Sequence, residues 1–244
     1  MFGQGRHHQR PGGRPVAELT GAVREAAVDG ALGMPAGARA VGAGVTGSDA
    51  ADWHDEAWSG PFDEADAPDD GDSLLDLGSV RLPMPDGAQL QVEVDPTGAV
   101  RAVHLLTELG QLTVSAFAAP RSGNLWDEVH AEILSQLRLD GADVDGVAGE
   151  WGGEVHALTA QVTLRFVGVD GPRWLLRGVA AGPAATHDAL VELLYEVLRG
   201  TVVVRGAEAL PVRSPLPLTL PGPMAEQLKD VAAARQEQQP LAGD

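Results

Sequence analysis

The chain contains no cysteine, and that absence removes disulfides, thiolate catalysis and every Cys-based metal site. Lysine is almost missing too: Lys229 stands alone against sixteen Arg. With so much Ala and Gly, this bias reports a GC-rich coding sequence rather than a chemistry. No apolar run approaches the roughly 18 residues of a membrane span. The N-terminus carries Arg and His but no apolar core after them, so it does not read as a signal peptide. The expectation is a cytoplasmic protein with no membrane span. Neither G-x-S-x-G nor G-x-x-x-x-G-K occurs, so the nucleophile-elbow and P-loop signatures are absent. Basic charge is also short: 17 Lys and Arg face 35 Asp and Glu, for a net charge of −18. Bulk nucleic-acid binding needs a basic surface, so it is not expected.

What is present divides the chain. Residues 1–48 are basic and Gly-rich and read as a disordered tail, with a marginal helix over 16–28 that Gly21 weakens. Gly42-Ala43-Gly44-Val45-Thr46-Gly47 matches G-x-G-x-x-G. It lacks the preceding strand and following amphipathic helix that dinucleotide binding requires, so it reads as a linker. Residues 49–76 hold eleven acids and no Lys or Arg, yet include Trp53, Trp58 and Phe62, three of the nine Trp and Phe residues. A purely solvating linker has no use for large apolar groups. These three are therefore candidate interaction anchors, docked on the chain's own domain or on a partner. Residues 77–220 read as the folded domain, and 221–244 as a polar tail.

Inside the domain, the spacing predicts strands near 77–82, 88–94, 100–107, 112–116, 144–148, 154–159 and 201–205. The period changes to helical at Leu125, Val129, Ile133 and Leu137, with Asn124 as N-cap and Gly141 as the stop. A second helix is predicted over 187–199, with Leu190, Val191, Leu194, Val197 and Leu198 inward. The fold class expected is α+β: one largely antiparallel sheet of about seven to nine strands, with both helices on one face.

The clearest pattern is Gln161–Ala181, a hairpin. Val162, Leu164 and Phe166 alternate with Gln161, Thr163 and Arg165, the mark of a strand with one buried face. A two-residue Asp170-Gly171 loop would pair Leu164 with Arg177 and mix the faces. A three-residue Val169-Asp170-Gly171 loop pairs Phe166 with Trp174 and Leu164 with Leu176, and is the register expected. It puts Arg165, Arg173 and Arg177 together on the outer face. So many like charges need acids, water or an anionic ligand. These three arginines are the candidate site for an anion or for the acidic segment 49–76, docked there within the chain or from a neighbouring copy.

Other chemistry is thin. Asp127-x-x-His130 resembles half of a di-iron motif, but a bundle site needs two such motifs and further Glu. Ser122 at a strand-to-helix turn reads as a helix-start residue. No His pair has metal spacing, and nothing calls for a cofactor. With no convergent nucleophile, base and orienter, the expected function is a non-catalytic protein-interaction or regulatory module. The alternative is a binder of small anionic molecules, or an enzyme, using the sheet face.

Four stretches carry a family resemblance: R-L-P-M-P-D-G at 81–87, A-F-A-A-P-R-S-G-N-L-W-D-E-V at 116–129, R-F-V-G-V-D-G-P-R-W-L-L-R-G at 165–178 and V-V-V-R-G at 202–206. Over about residues 60–220 the chain resembles the actinobacterial domain-of-unknown-function family numbered 3710. The resemblance implies an actinobacterial source and brings no activity, cofactor or catalytic residue.

Overall fold

In chain order the strands begin with β1 (Arg39–Thr46), β2 (Phe62–Asp63), β3 (Leu75–Asp76), β4 (Val80–Leu82), β5 (Gln89–Val94), β6 (Val100–Leu106) and β7 (Gln111–Ala118). Helix α1 (Leu125–Leu139) follows, then β8 (Asp143–Gly149), β9 (Gly152–Leu158), β10 (Thr163–Gly171), β11 (Trp174–Gly182), α2 (His187–Arg199) and β12 (Val202–Val203). The structure, a computed structural model, describes residues 39–46, 60–68, 74–94, 100–222 and 225–226.

The class is α+β, as the periodicities dictate. Eight strands form one sheet in the order β1-β5-β6-β7-β11-β10-β9-β8, with every adjacent pair antiparallel. Two meanders therefore meet at the β7–β11 pair. A second sheet, β2-β12-β4-β3, was not anticipated. Its strands are two or three residues long, too short for alternation to show in the sequence. β1 falls within what the sequence presents as a tail. Its R-A-V-G-A-G-V-T has too few large apolar groups to register as a strand, but its backbone pairs along β5.

The two helices do not share a face. The register aligns Gly168 with Arg177 and Val167 with Gly178, so neighbouring positions point to opposite sides. A Cβ on Gly168 would meet the Trp126 ring of α1 at 2.0 Å, and one on Gly178 would meet Leu194 of α2 at 2.8 Å. Leu125, Trp126, Val129, Ile133 and Leu137 of α1 pack with Leu164, Phe166, Leu175 and Val179. Leu190, Leu194, Val197 and Leu198 of α2 pack on the other side with Val167, Trp174, Leu176 and Ala180, where the small sheet adds Val80, Leu82 and Val203. A sheet covered on both faces explains the uninterrupted apolar character of β11, every residue of which is buried.

The same fact corrects the hairpin register. Gly171 pairs with Trp174, Phe166 with Val179 and Leu164 with Ala181, so the loop is Pro172-Arg173. Alternation specifies register only when one face is wet, and here neither is. Arg173 takes φ 63°, as the second central residue of a type II turn does, and Pro172 supplies the first. Gly171 serves space rather than turn geometry: a Cβ there would sit 2.1 Å from the Trp174 ring.

The start of α1 also departs from expectation. Asn124 has φ 62° and makes no side-chain cap. Asp170 from β10 caps the helix instead: its Oδ1 accepts from Leu125 N at 3.1 Å and its Oδ2 from Trp126 N at 3.1 Å. Burial raises the Asp170 pKa, against the lowering effect of these two amides. The cap ties the helix to the hairpin, so Asp170→Ala should cost about 1 kcal/mol, the usual worth of an N-cap. Asp170→Asn should recover part of it. Urea unfolding of both variants checks this.

Candidate functional site

The register disperses the three arginines. Arg165 lies on the α2 face, opposite His156 on β9 and Ala180 on β11. Arg177 lies on the α1 face, opposite Gly168 and Ser115. Arg173 sits in the turn, where its guanidinium donates to the Gly206 carbonyl at 3.1 Å. The expected three-arginine surface is not formed, because it depended on the mistaken loop. Each arginine has a separate environment: Arg165 joins a polar cluster on one face of the sheet, and Arg177 lies beside another on the opposite face.

On the α2 face the cluster is closed on itself. Glu154 is 1% exposed. Its two oxygens each accept from Tyr195 Oη at 2.9 Å, and Oε2 also accepts from Arg165 Nη1 at 3.1 Å. Burial, and then the Glu154 hydrogen bond, push the Tyr195 phenol up to about 12. Trp151 meets the Tyr195 ring edge-on at 5.8 Å. Beside this triad the His156 and His187 rings stack at 5.3 Å, with both His187 nitrogens sealed and without a hydrogen bond.

On the α1 face, strands β5, β6 and β7 present polar residues instead of a helix-packing surface. The row Gln91–His104–Thr113 runs straight across three strands. His104 Nδ1 lies 2.9 Å from Thr113 Oγ1 and 3.0 Å from Gln111 Nε2, while its Nε2 lies 3.4 Å from Glu93 Oε2. Gln111 Nε2 can only donate, so Nδ1 is the acceptor and Nε2 carries the proton toward Glu93. The order carboxylate, imidazole, hydroxyl has the outline of a nucleophile relay. However, Glu93, His104, Gln111 and Thr113 are all buried, and Gln111 shares the acceptor that would take a proton from Thr113. The network orients a packed sheet face.

Arg177 stands two residues along this face from the network. Thr113 pairs with Val179 and Ser115 with Arg177. Its guanidinium lies over the Phe117 ring, 5.1 Å from the centroid. The residue is 8% exposed, and among the described residues its Nε is buried without a hydrogen-bond partner and no ion pair forms to it. Burial alone draws its pKa down to about 10. It therefore remains charged at neutral pH: a desolvated cation, without an anion among the described residues.

Of the expected anchors, Trp53 and Trp58 lie outside the described residues. Phe62 is docked, in β2, parallel to Val202 of β12. The next residue, Asp63, accepts a hydrogen bond from the buried Trp174 Nε1 at 2.9 Å. A Cβ on Gly60 would lie 2.4 Å from the Arg199 carbonyl, so the chain enters the fold tightly at this point. The folded unit thus includes residues 60–63, inside the stretch that reads as linker. The docked end lies on the α2 side, across the sheet from Arg177. Among the described residues no group of three or more His, Asp or Glu is placed to hold a metal ion. No helix among them is long and apolar enough to cross a membrane.

The sequence offered little to reveal these clusters. Gln89, Gln91 and Glu93 alternate with Leu90 and Val92 as a solvent-facing row would. The one available signal was His104 between Val103 and Leu105, an ionisable group in an otherwise apolar strand. No curated protein and no solved structure matches the chain. The model of the family described as "Protein of unknown function (DUF3710)" matches residues 60–227, and the chain belongs to that family.

Proposed function

We propose that the protein is a non-catalytic protein-interaction module that receives a single carboxylate of a partner segment at Arg177. The observation that carries this reading is the buried guanidinium without an anion. A desolvated charge is costly unless paired, and an arginine held over the Phe117 ring offers its planar fork to a carboxylate. Such a charge-assisted hydrogen bond contributes about 1.5–3 kcal/mol.

The net charge of −18 limits the partner. Screening acts over about 8 Å at physiological ionic strength, so one carboxylate reaches Arg177 with little penalty from distant acids. A polyacidic segment meets repulsion from much of the surface. A segment with one Asp or Glu flanked by apolar or aromatic residues fits best, its apolar part meeting Phe117. The chain's own acidic segment is a poorer occupant, because its docked end at Phe62 and Asp63 is on the other side of the sheet. The same charge disfavours nucleic acid, and the reading places the module in the cytoplasm.

A photo-cross-linking residue at Ser115, directly across from Arg177, tests the reading in living cells. The expected result is a cross-linked partner peptide containing Asp or Glu, lost when Arg177→Met is added. Cross-linking that is indifferent to Arg177→Met contradicts it. Thermal stabilisation by small anions such as citrate, with no protein cross-link, would favour the small-ligand alternative instead.

A further inference from the structure

We infer that the His156–His187 stack beneath the start of α2 is an acid-sensitive latch, which holds the first turn of the helix while the His187 ring is neutral and releases it when that ring takes a proton. His187 is the first residue of α2 and is 4% exposed. Its ring lies against that of His156, with an interplanar angle of 30°. A neutral imidazole in such a sealed place leaves one donor and one acceptor unpaired. An imidazolium would leave two donors and a full charge.

The groups facing His187 give that charge no partner. From the sheet come His156 and Arg165, neighbours across β9 and β10. Glu154, the nearest acid on the sheet, already accepts from Tyr195 and Arg165. From the helix comes Asp188, which is exposed. The N-terminal end of α2 is itself the positive pole of the helix dipole. Burial first, then the charges of His156 and Arg165, lower the His187 pKa from 6.5 to about 4, with Asp188 opposing.

The sign follows from linkage. Between about pH 6.5 and 4 the open form binds a proton that the closed form refuses, so closure weakens as the pH falls and is fully restored above that window. Release has a defined consequence. Thr186 Oγ1 donates to the Leu109 carbonyl at 2.8 Å, and Leu190 packs against Gly110 and Gly182, within 2.9 Å of where their Cβ atoms would be. Opening the first turn undoes the hydrogen bond and uncovers Leu190.

Hydrogen exchange of the full chain at about pH 7.5 and about pH 5, corrected for the chemical exchange rate, reads the latch. Opening of the 187–191 amides should increase about 30-fold at the lower pH. His187→Phe keeps an aromatic stack that cannot be protonated and should abolish the increase. His156→Phe keeps the stack and removes the ring that opposes protonation of His187, so the increase at the lower pH should be smaller than in the native chain. Unchanged protection in the native chain overturns the inference. So does an equal loss in His187→Phe, or, should that variant fail to fold, an undiminished increase in His156→Phe.

Discussion

Glu154→Ala should destabilise the fold by about 3–5 kcal/mol, the range for breaking a buried ion pair from one side. The loss is not that of one contact. With Glu154 gone, the Tyr195 hydroxyl and the Arg165 guanidinium both lose their acceptor at once. Arg165 Nε is already buried without a partner, so a second unsatisfied group in one side chain leaves a nearly uncompensated charge between α2 and the sheet. The carboxylate lies directly over Gly149, less than 2.5 Å from where a Cβ would stand. Glu154→Gln keeps an acceptor for Tyr195 but not the charge for Arg165, and should cost about 1–3 kcal/mol. Tyr195→Phe removes a single hydroxyl and should cost about 1 kcal/mol. Chemical denaturation orders the three variants. Equal losses in all three would mean that packing, not polar satisfaction, holds the cluster.

Arg177→Met should do the opposite and raise stability, by about 1–3 kcal/mol. Met has similar length and polarisability and keeps the contact with Phe117, but brings no charge into the sheet face. The ordinary outcome of replacing a buried residue is loss. A gain here would show that the native side chain is kept at the expense of stability, as binding sites commonly are. Arg177→Ala should fall below Arg177→Met, since the shorter side chain also leaves a cavity. A loss of more than about 1 kcal/mol in Arg177→Met would mark Arg177 as a structural residue and remove the main support for the binding reading.

Some of this was legible in the residues and some was not, for identifiable reasons. Both helices stood out because each turns one apolar stripe inward: Leu125, Val129, Ile133 and Leu137 in α1, and Leu190, Leu194 and Val197 in α2. The strands stood out wherever β-branched and aliphatic residues alternated. The side on which each helix packs was not encoded in any one element. It follows from the pairing of Gly168 with Arg177, and that pairing could not be found by a rule that assumes a wet face. The error in the loop carried directly into the grouping of Arg165, Arg173 and Arg177, which the structure separates. Phe62 was recognisable as out of place in an acidic stretch; it stands half-buried in β2, paired with Val202 of β12. The polar row of Glu93, His104 and Thr113 was hidden, because buried polar residues on a two-sided sheet alternate as exposed ones do.

The central claim, that Arg177 is an unpaired cation awaiting a carboxylate, is most directly tested by following the Arg177 Nε–H resonance by NMR in the full chain during titration with N-acetylglutamate amide. The account predicts an Nε–H signal without the downfield position of an ion-paired guanidinium in the free protein. That signal should move downfield and saturate as the carboxylate is added, and should be absent from spectra of Arg177→Met. A resonance already at the ion-paired position, or one that stays in place throughout the titration while other surface arginines shift, would contradict it.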